Sequence, residues 1–407
     1  MKNILLFSLT PLIICGCNYS RSNEQVAYEH IGEISLMQRV DSEPAVLLDI
    51  ENATVVDYDE LIEELKYIPL GKEKGLIGII NNIIYHNERI YIQDKGQDQV
   101  FIFDMTGKCI KKISTRGRGP KEYLGIGNID INVSKNELII TDVLSGRSMF
   151  YDLDGNYKYS YNIPFDSDGM RWLCDSTFLH LIATHQNSQS KELGDYGMLV
   201  TQGDSLIAKG FKYLPSQVGY VAVREYLRRG FDKIYYRPLF SDSIYAISND
   251  LSYSLSYYTK FKNSTWKKNY KSSKFVQMMD RDQGQWLFPW FYETQDFFLG
   301  YTMVSGNSNE INHVIYDKKK KVTYVSHMKK YDNVTELNRF WGYVCQGIMN
   351  EYFISACDAI VFEEMTGIKK RLKNGSLIIT DPVLERIVKN IGNNDNPVLI
   401  LTKFRSI

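Results

Sequence analysis

The chain repeats part of its own sequence at a spacing of 48 residues. Tyr91-Ile-Gln-Asp94 returns as Ile139-Ile-Thr-Asp142, and Phe103-Asp-Met-Thr-Gly107 returns as Tyr151-Asp-Leu-Asp-Gly155. A constant spacing of this size indicates a repeated supersecondary unit. The fold must therefore be one that can be assembled from such units.

Each copy consists of short runs in which apolar and polar residues alternate. In the first copy these runs are Arg89–Gln93, Val100–Phe103 and Cys109–Ser114. Alternation with a period of two predicts half-buried strands, and the glycine of the Asp-x-x-Gly turn accommodates the positive φ of a tight hairpin. Each unit is therefore predicted to be a short antiparallel meander.

Weaker copies continue to the C-terminus, and we count six units in all. The later runs are Thr177–His185 and Gly197–Phe211 in the third unit, Lys233–Tyr236, Ser243–Ile247 and Leu251–Phe261 in the fourth, Asp296–Met303, Val314–Asp317 and Val322–His327 in the fifth, and Gly342–Met349, Glu351–Ala356, Ile360–Glu364 and Pro397–Lys403 in the sixth. Helical patterns are scarce. Lys267–Met279 and Val383–Ile391 are the best candidates, and we interpret both as insertions.

A meander cannot bury both of its faces alone, so several must be arranged in a ring or stacked in a solenoid. The end runs Leu65–Leu70 and Val398–Lys403 lack local partners. A ring closes when two such strands share one sheet. We therefore predict an all-β fold, a six-bladed β-propeller of four-stranded antiparallel blades over residues 60–407.

The N-terminus has the pattern of an export signal. Lys2 precedes the apolar run Ile4–Ile14, which is too short to span a bilayer as a helix. Ile14-Cys15-Gly16-Cys17 resembles a bacterial lipobox, which implies a signal peptide over residues 1–16 and lipidation of Cys17; an ordinary secretory signal is the alternative. The polar residues 17–59 are interpreted as a lipidated N-terminus and flexible tether.

These features predict an outer-membrane lipoprotein that faces the periplasm. Asn18-Tyr-Ser-Arg21 lacks the acidic residues that follow the cysteine in many surface-exposed lipoproteins, although exposure at the cell surface stays open. Lys+Arg and Asp+Glu both number 48, so no overall field attracts nucleic acid. We expect no cofactor and no metal site, since no Cys/His cluster has the spacing that zinc requires. Cys345 and Cys357 are interpreted as free and buried, with a disulfide between them as the alternative.

Several motifs resemble one family. They are Tyr67-Ile-Pro-Leu70, Gly117-Arg-Gly-Pro-Lys-Glu-Tyr123, Phe240-Ser-Asp-Ser-Ile-Tyr245 and Asn396-Pro-Val-Leu-Ile-Leu401. Together they resemble the six-bladed β-propeller lipoproteins of Bacteroidetes, a family distantly similar to NHL-repeat propellers. The resemblance covers about residues 60–407 and implies this architecture and an envelope location. It implies no reaction.

The segment from Arg116 to Tyr123 contains the first candidate ligand-binding residues. These are Arg116, Arg118, Lys121, Glu122 and Tyr123. Two glycines and a proline restrict the backbone, while the cationic side chains are suited to bind a carboxylate, sulfate or phosphate. The alternative is a structural crossover whose arginines pair with acids of neighbouring loops.

Further candidates lie at turns that are expected to meet at a channel mouth. Asp94 and Asp142 occupy one repeated position, and Arg147 is close to the second of them; such an aspartate binds a ligand or orders a turn. Arg237 and Asp242 flank a turn in the fourth unit. Their side chains would either reach the channel or form an ion pair with each other.

Aromatic residues are concentrated between Gln285 and Tyr292, and Trp286 is a candidate for stacking on a sugar ring. Packing in the core is the alternative. The arginines of Tyr220–Arg229 are interpreted as a solvated face. No local motif of an enzyme is present, and His180, His185 and His313 are the conceivable participants in catalysis.

Two functions follow from these observations. The first is non-catalytic binding of a glycan, a small anion or an envelope protein by a membrane-tethered propeller. The second is a lyase or hydrolase that acts on carbohydrate or a lactone at the channel mouth.

Overall fold

The computed structural model describes residues 34–41, 43–183, 186–187, 190, 192–213, 227–238, 241–262, 285–304, 310–327, 336–337, 344–362 and 367–407. Within these residues strands predominate, and six four-stranded antiparallel meanders are formed. The fold is a six-bladed β-propeller, as predicted. The described chain divides into two compact units, residues 56–114 with 326–407 and residues 34–55 with 115–325.

We number the blades in chain order and give the strands of each in sheet order. The strands are Ile80–His86, Arg89–Asp94, Gln99–Asp104 and Cys109–Ile113 in blade 1, Ile126–Asn132, Glu137–Asp142, Arg147–Asp152 and Tyr157–Asn162 in blade 2, Gly169–Cys174, Thr177–Leu181, Tyr196–Gln202 and Ser205–Lys212 in blade 3, Leu227–Arg229, Ile234–Tyr236, Ser243–Ile247 and Ser252–Lys260 in blade 4, Gln285–Glu293, Phe297–Val304, Glu310–Asp317 and Val322–His327 in blade 5, and Cys345–Met349, Tyr352–Cys357, Val398–Phe404 and Ile62–Pro69 in blade 6.

The first unit contains blades 1 and 6. In blade 6 the C-terminal strand pairs with Ile62–Pro69 in an antiparallel register that runs from Val398 opposite Pro69 to Lys403 opposite Glu64. The closing pair predicted from the two unpartnered end runs is therefore confirmed. The apolar side chains of Phe101, Ile354 and Leu399 belong to one buried cluster that joins the two sheets.

Blade 6 carries an insertion between its second and third strands. It contains a 3₁₀ helix (Ala359–Phe362), two α-helices (Ile368–Lys373 and Pro382–Asn390) and the short strand Ile378–Ile379. This strand pairs in parallel with Glu336–Leu337, which precedes the first strand of blade 6 in the chain. The second α-helix confirms the predicted one. The strand expected over Ile360–Glu364 is wrong for its described part, because Val361 and Phe362 turn into the core of the insertion. The helix expected over Lys267–Met279 lies outside the described residues.

The second unit contains blades 2 to 5. Its first strands were not assigned from the sequence, since Gly127 and Asn128 interrupt the apolar alternation in Ile126–Asn132. Neighbouring sheets pack through apolar clusters, for example Phe150 of blade 2 against Phe178 of blade 3.

Residues 34–55 form four short strands rather than a tether. Ser35–Leu36 pairs with the fourth strand of blade 3, Gln38–Arg39 and Val46–Asp49 with that of blade 4, and Thr54–Val55 with that of blade 5, all in parallel. The predicted tether over residues 17–59 is therefore corrected for this segment. The physical reason is that each sheet ends in an unpaired edge, and a short parallel strand satisfies its backbone groups.

The four cysteines that the structure describes are free, and Cys345 and Cys357 are buried. The interpretation as free, buried thiols is confirmed. Among the described residues, none of the helices combines the length and the apolar character needed to cross a bilayer.

Candidate anion site in blade 2

The loop over residues 115–125, which precedes the first strand of blade 2, folds back on itself. The Tyr123 N–H donates to the Thr115 carbonyl at 3.0 Å, and the Gly117 N–H donates to the Tyr123 carbonyl at 2.9 Å. The side chain of Tyr123 is fully buried. Tyr123 therefore fastens the loop to the sheet and is not presented to a ligand, unlike its predicted role.

Glu122 closes the same loop from inside. Its Oε2 accepts the Gly119 N–H at 2.8 Å. A Cβ atom at Gly117 would lie 2.7 Å from the Glu122 carboxyl carbon. A side chain at residue 117 would therefore displace the Glu122 carboxylate from its position in the loop. The carboxylate of Glu122 is used within the loop, which differs from the ligand role predicted for it.

Asp142 holds the C-terminal end of the loop in place through hydrogen bonds. Its carboxylate accepts the N–H groups of Leu124 (3.0 Å), Gly125 (3.2 Å), Leu144 (3.3 Å) and Ser145 (3.2 Å), and also the Ser145 hydroxyl. The side chain is completely buried. Asp142 therefore orders the loop, as the turn-ordering alternative predicts, since backbone donors surround its oxygens.

Asp94 in blade 1 does the same at the equivalent position. It accepts the N–H groups of Gly78, Ile79 and Gly96 at 2.9–3.0 Å. The repeated aspartate is thus a turn-forming residue in both blades. This acceptor role alone accounts for the recurrence of the aspartate after 48 residues, so the recurrence does not require a ligand.

Arg147 lies beneath the loop. It donates through Nη2 to the Glu122 carbonyl and through Nε to the Ser145 hydroxyl, and it is 3.9 Å from Asp142. Its side chain is only 18% exposed. Arg147 consequently stabilises the loop through these hydrogen bonds and adds a largely buried positive charge next to it.

The remaining cationic residues of the loop face solvent. Arg116, Arg118 and Lys121 are all exposed, and Lys121 Nζ lies 5.9 Å from the centre of the Tyr157 ring. Because these three cations outnumber Glu122, the one acid of residues 115–125, the outer surface of the loop is positively charged. A rigid backbone with exposed ammonium and guanidinium groups is suited to bind an anion.

The structure does not bring the other candidates into this loop. Arg237 belongs to blade 4, is 3% exposed and donates to the Ser241 carbonyl at 2.9 Å. Trp286 lies in the first strand of blade 5, and its side chain is outside the described part. Its neighbours Leu287 and Phe291 are buried, and Phe291 stacks on Phe298 at 5.7 Å, which favours the core interpretation of this aromatic segment.

Sequence reasoning missed a polar network on the first strands of blades 2, 3 and 4. Arg229 pairs with the buried Asp130 at 3.0 Å and lies 5.5 Å over the Trp172 ring. Arg228 is 3% exposed and lies 5.1 Å over the Tyr292 ring. The prediction of a solvated face is therefore wrong for these two arginines. No sequence signal could pair residues 130 and 229, because they are distant in the chain.

The described histidines do not form a catalytic group. His180 is 1% exposed, and burial lowers its pKa to about 3. His313 is also buried, and His185 lies outside the described residues. Within the described part of the chain, no three His, Cys, Asp or Glu side chains are grouped closely enough to hold a metal ion.

Residues 43–403 match the family model described as "Domain of unknown function (DUF4934)". The chain belongs to the DUF4934 family. This propeller chain is also similar to a solved structure of a Bacteroides fragilis NCTC 9343 protein described as exported, at 19% identity and a TM-score of 0.72, over 89% of this chain and 100% of that one. This similarity confirms the fold of the DUF4934 chain.

Other solved structures are less similar to this DUF4934 chain. A member of the DUF4221 family from Bacteroides vulgatus has 11% identity and a TM-score of 0.47 over 85% of this chain and 97% of that one. Virginiamycin B lyase from Staphylococcus aureus has 12% identity and a TM-score of 0.36 over 66% and 75%. Scores this low carry no argument about activity. A search of the curated proteins found no match.

Proposed function

We propose that this chain is a lipid-anchored cell-envelope propeller that binds a small anionic ligand non-covalently at the loop over residues 115–125. The ligand class is a carboxylate, sulfate or phosphate. Arg118 and Lys121 contact the anion, and Arg116 adds to the field. The anchor is the lipidated Cys17, and the protein is placed at the outer membrane, facing the periplasm.

One observation carries the proposal. Glu122 and Asp142 accept backbone N–H groups inside the loop, whereas the side chains of Arg118 and Lys121 are exposed. Residues 115–125 contain three cationic side chains and one acid, so the loop carries a net positive charge.

The backbone of the loop also supports binding. Hydrogen bonds across Thr115, Gly117 and Tyr123 hold it in one conformation, so little conformational entropy is lost when an anion binds. Cationic groups on a rigid backbone bind more tightly than the same groups on a mobile chain.

The test is a thermal-shift and calorimetric titration of the mature chain with sulfate, phosphate and organic carboxylates. A ligand that binds only the folded state raises the melting temperature. We expect Arg118→Ala with Lys121→Ala to abolish the shift. Lys135→Ala is the matched control, because Lys135 is exposed in the turn at the other end of the same sheet.

A shift that persists in the double variant would place the anion elsewhere and contradict the proposal. If no anion of these classes shifts the wild-type transition, the binding function fails for small anions. An envelope protein would then be the better candidate partner for this loop.

A further inference from the structure

The loop over residues 71–79, which precedes the first strand of blade 1, differs from its counterpart in blade 2 in what it exposes. Leu76 is 46% exposed and Ile79 is 61% exposed, whereas Ile77 between them is buried. In blade 2 the corresponding donors to the repeated aspartate are Leu124, which is half-buried, and Gly125, which is buried. Of these two loops, only the one that precedes blade 1 exposes two large aliphatic side chains.

The loop is held rigidly in this presentation. Asp94 accepts the N–H groups of Gly78 and Ile79, both at 2.9 Å. Asn396, which is 2% exposed, accepts the Ile77 N–H at 2.8 Å. The exposure of the two aliphatic side chains is therefore a property of an ordered loop.

Several carbonyl groups of the loop are also bonded. Asn396 Nδ2 donates to the carbonyls of Gly71 (2.8 Å) and Gly75 (3.1 Å). Gln97 donates to the Leu76 carbonyl at 3.1 Å, and the Lys95 N–H donates to the Ile79 carbonyl at 2.8 Å. Backbone that enters the apolar part of a lipid bilayer must have its polar groups bonded internally. The carbonyls of Leu76 and Ile79, the two residues with exposed aliphatic side chains, meet that requirement.

Positive charge borders the two aliphatic side chains. Lys74 is exposed, and Lys112 Nζ would lie 3.4 Å from a Cβ atom at Gly75. Lys72 is paired with Asp395 at 2.5 Å. The acid of the loop, Glu73, accepts the Cys109 N–H at 3.4 Å. With Lys72 paired to Asp395, Lys74 and Lys112 against Glu73 leave one net positive charge beside the apolar tip.

We propose that this loop docks on an anionic phospholipid surface, with Leu76 and Ile79 entering the interface and Lys74 and Lys112 contacting headgroup phosphates. Aliphatic side chains bordered by lysines are typical of peripheral membrane contacts. An acidic protein would be matched by the lysines, but it would leave the exposed aliphatic pair without a role. The contact is separate from the acyl anchor, so it does not depend on lipidation.

The test uses the full mature chain with Cys17→Ser, so that an acyl chain cannot contribute, in flotation with vesicles. We expect binding to phosphatidylglycerol-containing vesicles and weak binding to pure phosphatidylcholine. Leu76→Ser with Ile79→Ser should weaken binding at least about tenfold, and Lys74→Glu about fivefold. Leu144→Ser, at a leucine 38% exposed in a turn of blade 2, is the matched control and should bind as the wild type does.

A second readout reports insertion itself. Ile79→Trp should show quenching of its fluorescence by lipids brominated on the acyl chains, because the proposed contact places residue 79 below the headgroups. The proposal is overturned if the double serine variant binds vesicles like the wild type, or if the wild type does not bind them. Concentration-dependent self-association that the double variant abolishes, with no vesicle binding, would assign the surface to a second copy instead.

Discussion

Asp130 accepts a 3.0 Å hydrogen bond from Nη2 of Arg229, a residue of the blade after next. The same Oδ2 atom accepts the Trp172 N–H of the intervening blade at 2.7 Å. Arg229 also donates to the Trp172 carbonyl. One buried carboxylate therefore connects the first strands of blades 2, 3 and 4.

Asp130→Ala should destabilise the protein. The substitution leaves the Trp172 N–H and the guanidinium of Arg229 without their buried acceptor, which costs about 2–3 kcal/mol after allowance for the partial exposure of the arginine. Asp130→Asn should cost less, because the amide oxygen still accepts the Trp172 N–H. Urea denaturation measures both. Asp204→Ala, at an exposed turn, is the control, and equal stability of the Ala variants at 130 and 204 would contradict this role.

Gly230 is required by a second buried carboxylate. Glu293 accepts the Tyr257 hydroxyl at 2.5 Å, and Lys318 Nζ lies 2.6 Å from the same oxygen. A Cβ atom at Gly230 would lie 2.5 Å from Glu293 Oε2 and 2.5 Å from the Tyr235 ring. Burial, followed by the charge of Glu293, raises the pKa of Tyr235 and of Tyr257, so both stay protonated around the carboxylate.

Gly230→Ala should therefore destabilise the protein by about 1–3 kcal/mol, because neither the ring nor the paired carboxylate can move freely. Gly392→Ala is the matched control, since its Cβ would be in ordinary contact with Asp395 at 3.5 Å. Thermal unfolding of the two variants checks this prediction. Equal melting temperatures would show that the site around Glu293 is more open than described.

The sequence predicted the blades well where turn chemistry repeats. Asp104 and Gly107 of blade 1 return as Asp152 and Gly155 of blade 2, and in each turn the aspartate accepts nearby N–H groups. Hydrogen bonding of this kind is determined by four or five consecutive residues. The strands that flank such turns could therefore be assigned with little error.

The contacts that decide the candidate site were not predictable in the same way. Whether Glu122 faces outward or inward depends on its bond to Gly119, and no pattern of residue types distinguishes the two states. The strands over residues 34–55 were missed because Ser35–Leu36 and Thr54–Val55 are too short to show alternation. They exist only because the edges of other sheets are available to them.

The buried thiols among the four described cysteines should react slowly in the folded state. Burial raises the pKa of the Cys109 thiol to about 11, with Glu73 adding to the shift, and burial also raises the pKa of Cys357. Cys174 is the only one of the four described thiols that is partly exposed. Native titration with an aromatic disulfide reagent at pH 8 should thus show one faster thiol.

Cys174→Ser should remove that faster phase, while Cys109→Ser should leave it unchanged. A reducing agent should leave the melting temperature unaltered, because no disulfide is present among the described cysteines. Loss of stability on reduction would instead indicate that Cys345 and Cys357 are bonded in the protein in solution.

His180 should make the protein less stable in mild acid. The ring is 1% exposed, its Nε2 atom lies 3.0 Å from the Thr201 hydroxyl, and burial lowers its pKa from 6.5 to about 3. The folded state therefore favours the neutral ring. This preference contributes fully to the stability of the fold above pH 6.5, and the contribution is lost as the pH falls towards 3. At pH 5 the stability lost is about 2 kcal/mol.

The measurement is urea denaturation at pH 7 and pH 5 of the wild type and of His180→Gln, which retains a hydrogen-bonding group for Thr201 but does not titrate. We expect the variant to lose less stability than the wild type between these two pH values. His327→Gln is the control, because His327 is exposed and should leave the pH dependence of the wild type intact. If His180→Gln and the wild type lose stability equally, the buried ring is not what makes the fold acid-sensitive, and carboxylates with lowered pKa values, such as Asp395 beside Lys72, would have to account for it.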